Sequence, residues 1–298
     1  MKAHFGYMAV VTEQPQALAD FYARFFATSE LGRSAEGDIS ITDGWVNISL
    51  LKQRSGVEGA SGRPGLSHFG MAIDNIHEIE ANLEEYFPNA EITQESGDLH
   101  HGQYRVYGPN GLPYSLSTTN FGVEGTPRRI PRIRHLATSF PKWMDDESDF
   151  MTKVFGFREV STTVERRKAN RSTRFIGDGH INLALLSSGI GKAGGHVEEA
   201  GEVYRDEEER ALNTKRGFQH FGFVVEDIPA LMASLPPELA KWTNQRPYLR
   251  DMAEYRVFDP DLNAIDLSQL MGFEVDFDSW ESAAGSGLTT EQRRTKPV

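Results

Sequence analysis

The sequence predicts an α+β protein made of four tandem β-α-β-β-β units, and three observations carry that prediction. The chain of 298 residues repeats itself at long range. "LSHFGMAIDN" (66–75) returns as "FQHFGFVVED" (218–227), and "QYRVYGPNGLPYSLS" (103–117) returns as "EYRVFDPDLNAIDLS" (254–268). "DGWVNISLL" (43–51) returns as "DGHINLALL" (178–186), so the second half copies the first. Within each half, two segments run from an apolar strand through a polar break into an amphipathic helix. After each helix come short alternating runs punctuated by Gly, Asn and Pro, which read as antiparallel strands.

The units follow in order. Unit one, about 1–52, opens with "YMAVVTEQPQALADFYARFF", and unit two, about 65–118, with "HFGMAIDNIHEIEANLEEYF". Unit three, about 132–187, opens with "HLATSFPKWMDDESDFMTKVF", and unit four, about 217–269, with "HFGFVVEDIPALMASL". In unit four Asp227 is a helix N-cap with Pro229 in the first turn. This predicts an N-terminal domain over 1–120, a C-terminal domain over 130–270 and a tail over 271–298, whose end "ESAAGSGLTTEQRRTKPV" has an unstructured composition. The segment 187–217 is far longer than the usual connection and is a candidate lid.

Composition narrows the class. With 39% hydrophobic and 25% charged residues the chain is globular, and a formal net charge of -12 argues against nucleic-acid or anionic-membrane partners. No run of eighteen apolar residues and no secretory leader is expected, so the expected location is cytoplasmic. The absence of cysteine removes disulfides, thiolate metal sites and a cysteine nucleophile. The expected assembly is a homo-oligomer.

One residue breaks the pattern. In "FDPDLNAIDLSQ" (258–269) a turn leads into an alternating strand whose buried face carries Asp266. A buried carboxylate needs a positive partner. That partner is a metal, or else an arginine or backbone amides hold the carboxylate.

Four such units, with His on the first strand and a carboxylate after "DPDLN" on the last, resemble the vicinal oxygen chelate superfamily. That superfamily includes glyoxalase I, the fosfomycin and bleomycin resistance proteins and the type I extradiol ring-cleavage dioxygenases. The four-unit arrangement is most similar to the extradiol enzymes. The resemblance covers nearly the whole chain outside 187–217 and the tail. It implies two half-barrel domains of curved sheet, with metal ligands on the first and last strand of each unit. Those places hold Tyr7, Ser49, His68 and Ser115 in the first half, and His135, Ala184, His220 and Asp266 in the second.

Only the second set offers two imidazoles and a carboxylate. The resemblance therefore implies Fe(II) or Mn(II) on His135, His220 and Asp266, with the N-terminal half a silent copy. His68 is the control: it holds the repeat position without a carboxylate partner. Asp266 stands where the family usually has Glu, about 1.5 Å shorter in reach. The candidate catalytic residues are His180, Tyr248, Tyr255 and Arg256. His180 shares a face with Ala184 by alternation and is a candidate proton shuttle or fourth ligand. Tyr248 falls near a second family histidine, and Arg256 near the family's catalytic Tyr. Tyr255 and Arg256 recur as Tyr104 and Arg105 in the silent half, which also fits packing or an ion pair. The expected function is cleavage of a catechol-like aromatic substrate with O2. The alternatives are an isomerase or glyoxalase-like lyase at the same metal, and a metal-free binding or resistance protein.

Overall fold

The computed structural model describes residues 3–57, 59, 64–125, 130–140, 145–159, 173–187, 217–245, 253–269 and 273. The interior of the long 187–217 segment, Tyr248 and nearly all of the tail lie outside the described residues.

Unit one consists of β1 (Ala3–Thr12), α1 (Pro15–Phe26), β2 (Ser29–Arg33), β3 (Ile39–Thr42) and β4 (Asn47–Lys52). Unit two consists of β5 (Gly65–Ile73), α2 (Ile76–Tyr86), β6 (Ile92–Gln94), β7 (Tyr104–Tyr107) and β8 (Pro113–Ser117). Unit three has β9 (Arg132–Phe140), α3 (Asp145–Phe155), β10 (Arg158–Glu159), β11 (Thr173–Gly177) and β12 (Asn182–Ser187). Unit four has β13 (Gly217–Val224), α4 (Ile228–Ser234), α5 (Pro237–Ala240), β14 (Asn244–Gln245), β15 (Tyr255–Phe258) and β16 (Ala264–Ser268). The helix of unit four starts where its Asp227 cap predicts. Asp227 accepts a hydrogen bond from the Ala230 N–H ahead of α4, and Asn75 accepts one from the His77 N–H ahead of α2.

Two eight-stranded, curved and unclosed sheets result, ordered β2-β3-β4-β1-β5-β8-β7-β6 and β10-β11-β12-β9-β13-β16-β15-β14. In each sheet the first strands of two units pair antiparallel at the centre, and each pairs parallel with the last strand of its own unit. Alternation then divides the side chains. Along β1, Met8 and Val10 enter the main apolar core, while Tyr7, Ala9 and Val11 enter a separate cluster with Phe121.

The main core continues from one sheet into the other. Phe26 of α1 stacks on Phe223 of β13, and Phe69 meets Phe218 edge to face. The seam is also hydrogen-bonded in a reciprocal way. Asp43 caps its own turn through the Trp45 and Val46 N–H groups and accepts from Ile133 N at 2.6 Å. Asp178 does the same with His180, Ile181 and Phe5 N. This accounts for the repeated "DG": the Asp ties the halves together, and Gly44 and Gly179 adopt positive φ of 97° and 94° to make the turn. Tyr22 of α1 adds a bond to Asp259 Oδ2 at 2.6 Å. No helix among the described residues is long and apolar enough to cross a membrane.

Candidate metal centre

Three neighbouring strands build the site. On β13, Gly222 faces His135 of β9 on one side and Asp266 of β16 on the other. His220 lies two residues along β13, between Ala137 and Ala264, whose small side chains leave room for its ring. The three side chains are buried, and one ligand atom from each lies within 4.8 Å of the others. His135 Nε2 is 3.3 Å from His220 Nε2, and His220 Nε2 is 3.4 Å from Asp266 Oδ2. The structure thus brings together the three residues that the repeat positions predict.

The outer nitrogens decide what the inner ones can do. His135 Nδ1 lies 3.2 Å from Asn182 Oδ1, and His220 Nδ1 lies 3.0 Å from Gln219 Oε1. A carbonyl oxygen only accepts, so each Nδ1 carries the proton and each Nε2 presents a lone pair. Burial, with His220 second, pushes the His135 pKa down to about 3, so its ring is neutral. Two lone pairs and a carboxylate oxygen converge at these distances, which makes the group a candidate cation site. An amide carbonyl behind each imidazole is how metal-binding histidines are oriented. The residues present therefore fit a divalent metal with two His and one carboxylate.

Asp266 has a second partner. Arg256 stands opposite it on β15 and donates from Nε to Oδ1 at 2.6 Å, with both side chains buried. Arginine takes one carboxylate oxygen, and the other lies 3.4 Å from His220 Nε2. Arg256 is thus an ion-pair partner of a candidate ligand.

Two of the expected catalytic residues are placed elsewhere. Tyr255 neighbours Arg256 on β15, so alternation turns it to the opposite face, against the main core. His180 precedes β12, which starts only at Asn182, so the strand alternation does not reach it. Its ring packs on Trp45, its own repeat counterpart, with centroids 4.3 Å apart. Burial pushes its pKa down, Asp178 opposes this, and Arg134 and Arg132 add to it. These contacts place His180 at the seam between the halves.

The N-terminal sheet repeats the geometry with different chemistry. His68 Nε2 meets Ser115 Oγ at 3.0 Å and its Nδ1 meets Ser67 Oγ at 3.0 Å. Tyr7 replaces the first-strand histidine and donates to the His100 carbonyl at 2.7 Å. Arg105 pairs with Glu95 at 2.6 Å and reaches to 3.4 Å from His68 Nε2. Hydroxyls and an arginine surround His68 on this face. Asn182, Gln219 and Phe273 were not singled out by sequence reasoning. Asn182 had a signal, since it recurs as Asn47 in the repeated "DG" segment.

Residues 132–267 match the sequence profile of the Glyoxalase/Bleomycin resistance protein/Dioxygenase superfamily, and this segment is a domain of that superfamily. No curated protein sequence matches the chain. Among solved structures, the chain is similar to the 2,3-dioxygenase LapB from Pseudomonas sp. KL28, with TM-score 0.63 and 14% identity over 93% of this chain and 95% of that one. It is also similar to BphC, a halotolerant catechol dioxygenase, with TM-score 0.59 and 14% identity over 94% of this chain and 90% of that one. A Mn(II)-bound glyoxalase from Novosphingobium aromaticivorans gives TM-score 0.59 and 14% identity over 99% and 94%. At such identities these likenesses show the shared fold.

Proposed function

We propose that this protein is a metal-dependent dioxygenase of the extradiol type. It would cleave a catechol-like aromatic substrate with O2, using Fe(II) or Mn(II) held by His135, His220 and Asp266. The observation that carries the reading is the convergence of two Nε2 lone pairs and Asp266 Oδ2, with each Nδ1 held by an amide carbonyl. Among the described residues the donor set has three members. Ala184, at the corresponding place on β12, supplies no fourth ligand, which leaves room for a bidentate substrate and O2 together. The dioxygenases among the structural neighbours support the same reading.

A metal bound there supplies Lewis acidity and one-electron redox capacity. This chain's residues do the rest. Asn182 and Gln219 hold the imidazole planes with Nε2 inward. Arg256 keeps one carboxylate oxygen of Asp266 occupied, so the other is the ligand atom. Burial of all three ligands keeps bulk water from the coordinating atoms. The N-terminal sheet, with His68 bonded to Ser115, is proposed as a silent copy.

Metal analysis and a substrate panel test this reading. Reconstituted protein should hold one Fe(II) or Mn(II) per chain, lost in His220→Ala and kept in His68→Ala. With a catechol panel under air it should consume O2 and form a yellow ring-opened product. A preparation that holds the metal, leaves every catechol intact and isomerises a hemithioacetal would replace dioxygenase by isomerase.

A further inference from the structure

Phe273 lies five residues beyond the end of β16, yet it is fully buried. Its ring stacks on the His135 imidazole, with centroids 5.1 Å apart and planes 3° from parallel. It sits in a slot made by Gly222, the glycine between His135 and Asp266 in the strand row. A Cβ at position 222 would come within 2.6 Å of Phe273 Cε1, far inside van der Waals contact. Phe273 also holds a left-handed backbone, φ 56°, which an aromatic residue adopts only where its surroundings impose it.

The N-terminal half contains the same device. Phe121 follows β8, has φ 51°, and stacks on Tyr7, the counterpart of His135, with centroids 4.6 Å apart. Its slot is Gly70, where a Cβ would lie 3.0 Å from Phe121 Cζ and closer still to the Ser115 carbonyl oxygen. Each half thus places an aromatic ring, from a left-handed corner after the last strand, over the residue at the first ligand position. In the silent half the ring covers a tyrosine bonded to a carbonyl. In the other half it covers a metal-ligand candidate.

We infer that Phe273 is a positioning residue for the metal centre: wedged into the Gly222 slot, its ring fixes the plane of the His135 imidazole so that Nε2 points at the shared centre. The inference rests on the proposed metal site. Asn182 holds one atom of the imidazole and leaves rotation about that hydrogen bond open. A flat ring against the imidazole face removes that freedom. The glycine at 222 is required because the ring occupies the volume that a side chain would take.

Mn(II) titration of the full chain, read by the electron paramagnetic resonance signal of free and bound Mn(II), tests this. Phe273→Ala and Gly222→Ala should each weaken Mn(II) binding by about 10- to 100-fold, as loss of other orienting contacts does. Each should also change the bound line shape. Phe273→Tyr, which keeps the flat ring, should restore most of the affinity. The double variant should bind little more weakly than Phe273→Ala, because without the ring a methyl at 222 meets only the Asp266 backbone oxygen, at 3.1 Å. Phe121→Ala should leave Mn(II) binding as in wild type. Phe273→Ala with wild-type affinity and line shape overturns the positioning role while leaving the metal reading intact. Additive losses in the double variant overturn the wedge. A wild-type chain that binds neither Mn(II) nor Fe(II) overturns the metal reading and this role with it. Urea unfolding of the metal-free variants then shows whether Gly222 and Phe273 are coupled in the absence of any ion.

Discussion

Removing the carboxylate of Asp266 should destabilise the metal-free protein far more than removing both members of its ion pair. The two side chains are only 3% and 5% exposed, and Arg256 Nε lies 2.6 Å from Asp266 Oδ1. Solvent screens such a pair little. At an effective dielectric near 20, two unit charges about 4 Å apart attract by about 4 kcal/mol. Stranding one member of a buried pair costs about 3–5 kcal/mol. Asp266→Ala leaves the guanidinium buried and should lose about that much. Arg256→Met with Asp266→Leu removes both charges and refills the space, so it should return to within about 1 kcal/mol of wild type. Arg256→Met alone takes the guanidinium away from a carboxylate that lies beside the imidazoles. Mn(II) should then stabilise this variant more than it stabilises wild type, because the ion replaces a lost cation. The assay is urea unfolding in the presence of a chelator, followed by tryptophan fluorescence and repeated with Mn(II). A double variant that loses the sum of the two single losses would refute the reasoning, since the side chains would then act independently.

Three further outcomes follow from the same structure. Asp259 is buried against Tyr22 and its pKa is raised to about 6, mainly by burial. The folded state therefore binds a proton that the unfolded chain releases near pH 4, and stability should fall by about 3 kcal/mol as pH rises from about 4 to 6, then level off. Urea midpoints across that window should slope less in Asp259→Asn than in wild type, and an unchanged slope would dismiss Asp259 as the cause. Asn182→Ala removes the acceptor for His135 Nδ1 and should weaken Mn(II) binding by about 10- to 100-fold, whereas equal affinity by titration would show that the tautomer is held by something else. His180→Ala should leave Mn(II) content unchanged and alter the fluorescence of Trp45, because its ring packs on that indole. Loss of metal in this variant would return His180 to the site.

The sequence by itself determined the architecture and the repeat positions at which the candidate ligands stand. A repeat that returns whole strands and turns carries the topology with it, because each unit can bury its apolar face only against its copy. Period-two alternation put Asp266 on a buried face, and the family resemblance, applied to the repeat, then picked out His135 and His220 at the matching strand positions. The same rule separates Arg256 from Tyr255. It failed at His180, because a strand boundary moved by two residues removes the alternation that points the ring.

Contacts across strands were decided only by the tertiary structure. His135 faces Gly222, and Gly222 faces Asp266, through a register that shifts between Phe218 and His220 and again between Gly222 and Phe223. Such irregularities have no period and leave no mark in the pattern of apolar residues. The structure therefore decided that Arg256 shares Asp266 with the histidines. It also decided that the repeated Asp43 and Asp178 cross the seam, and that Phe273 returns from beyond the last strand to lie on His135. The physical reason is the same in each case. Burial and facing are local properties of a chain with fixed periodicity. Which buried groups meet depends on how separately formed strands register against one another.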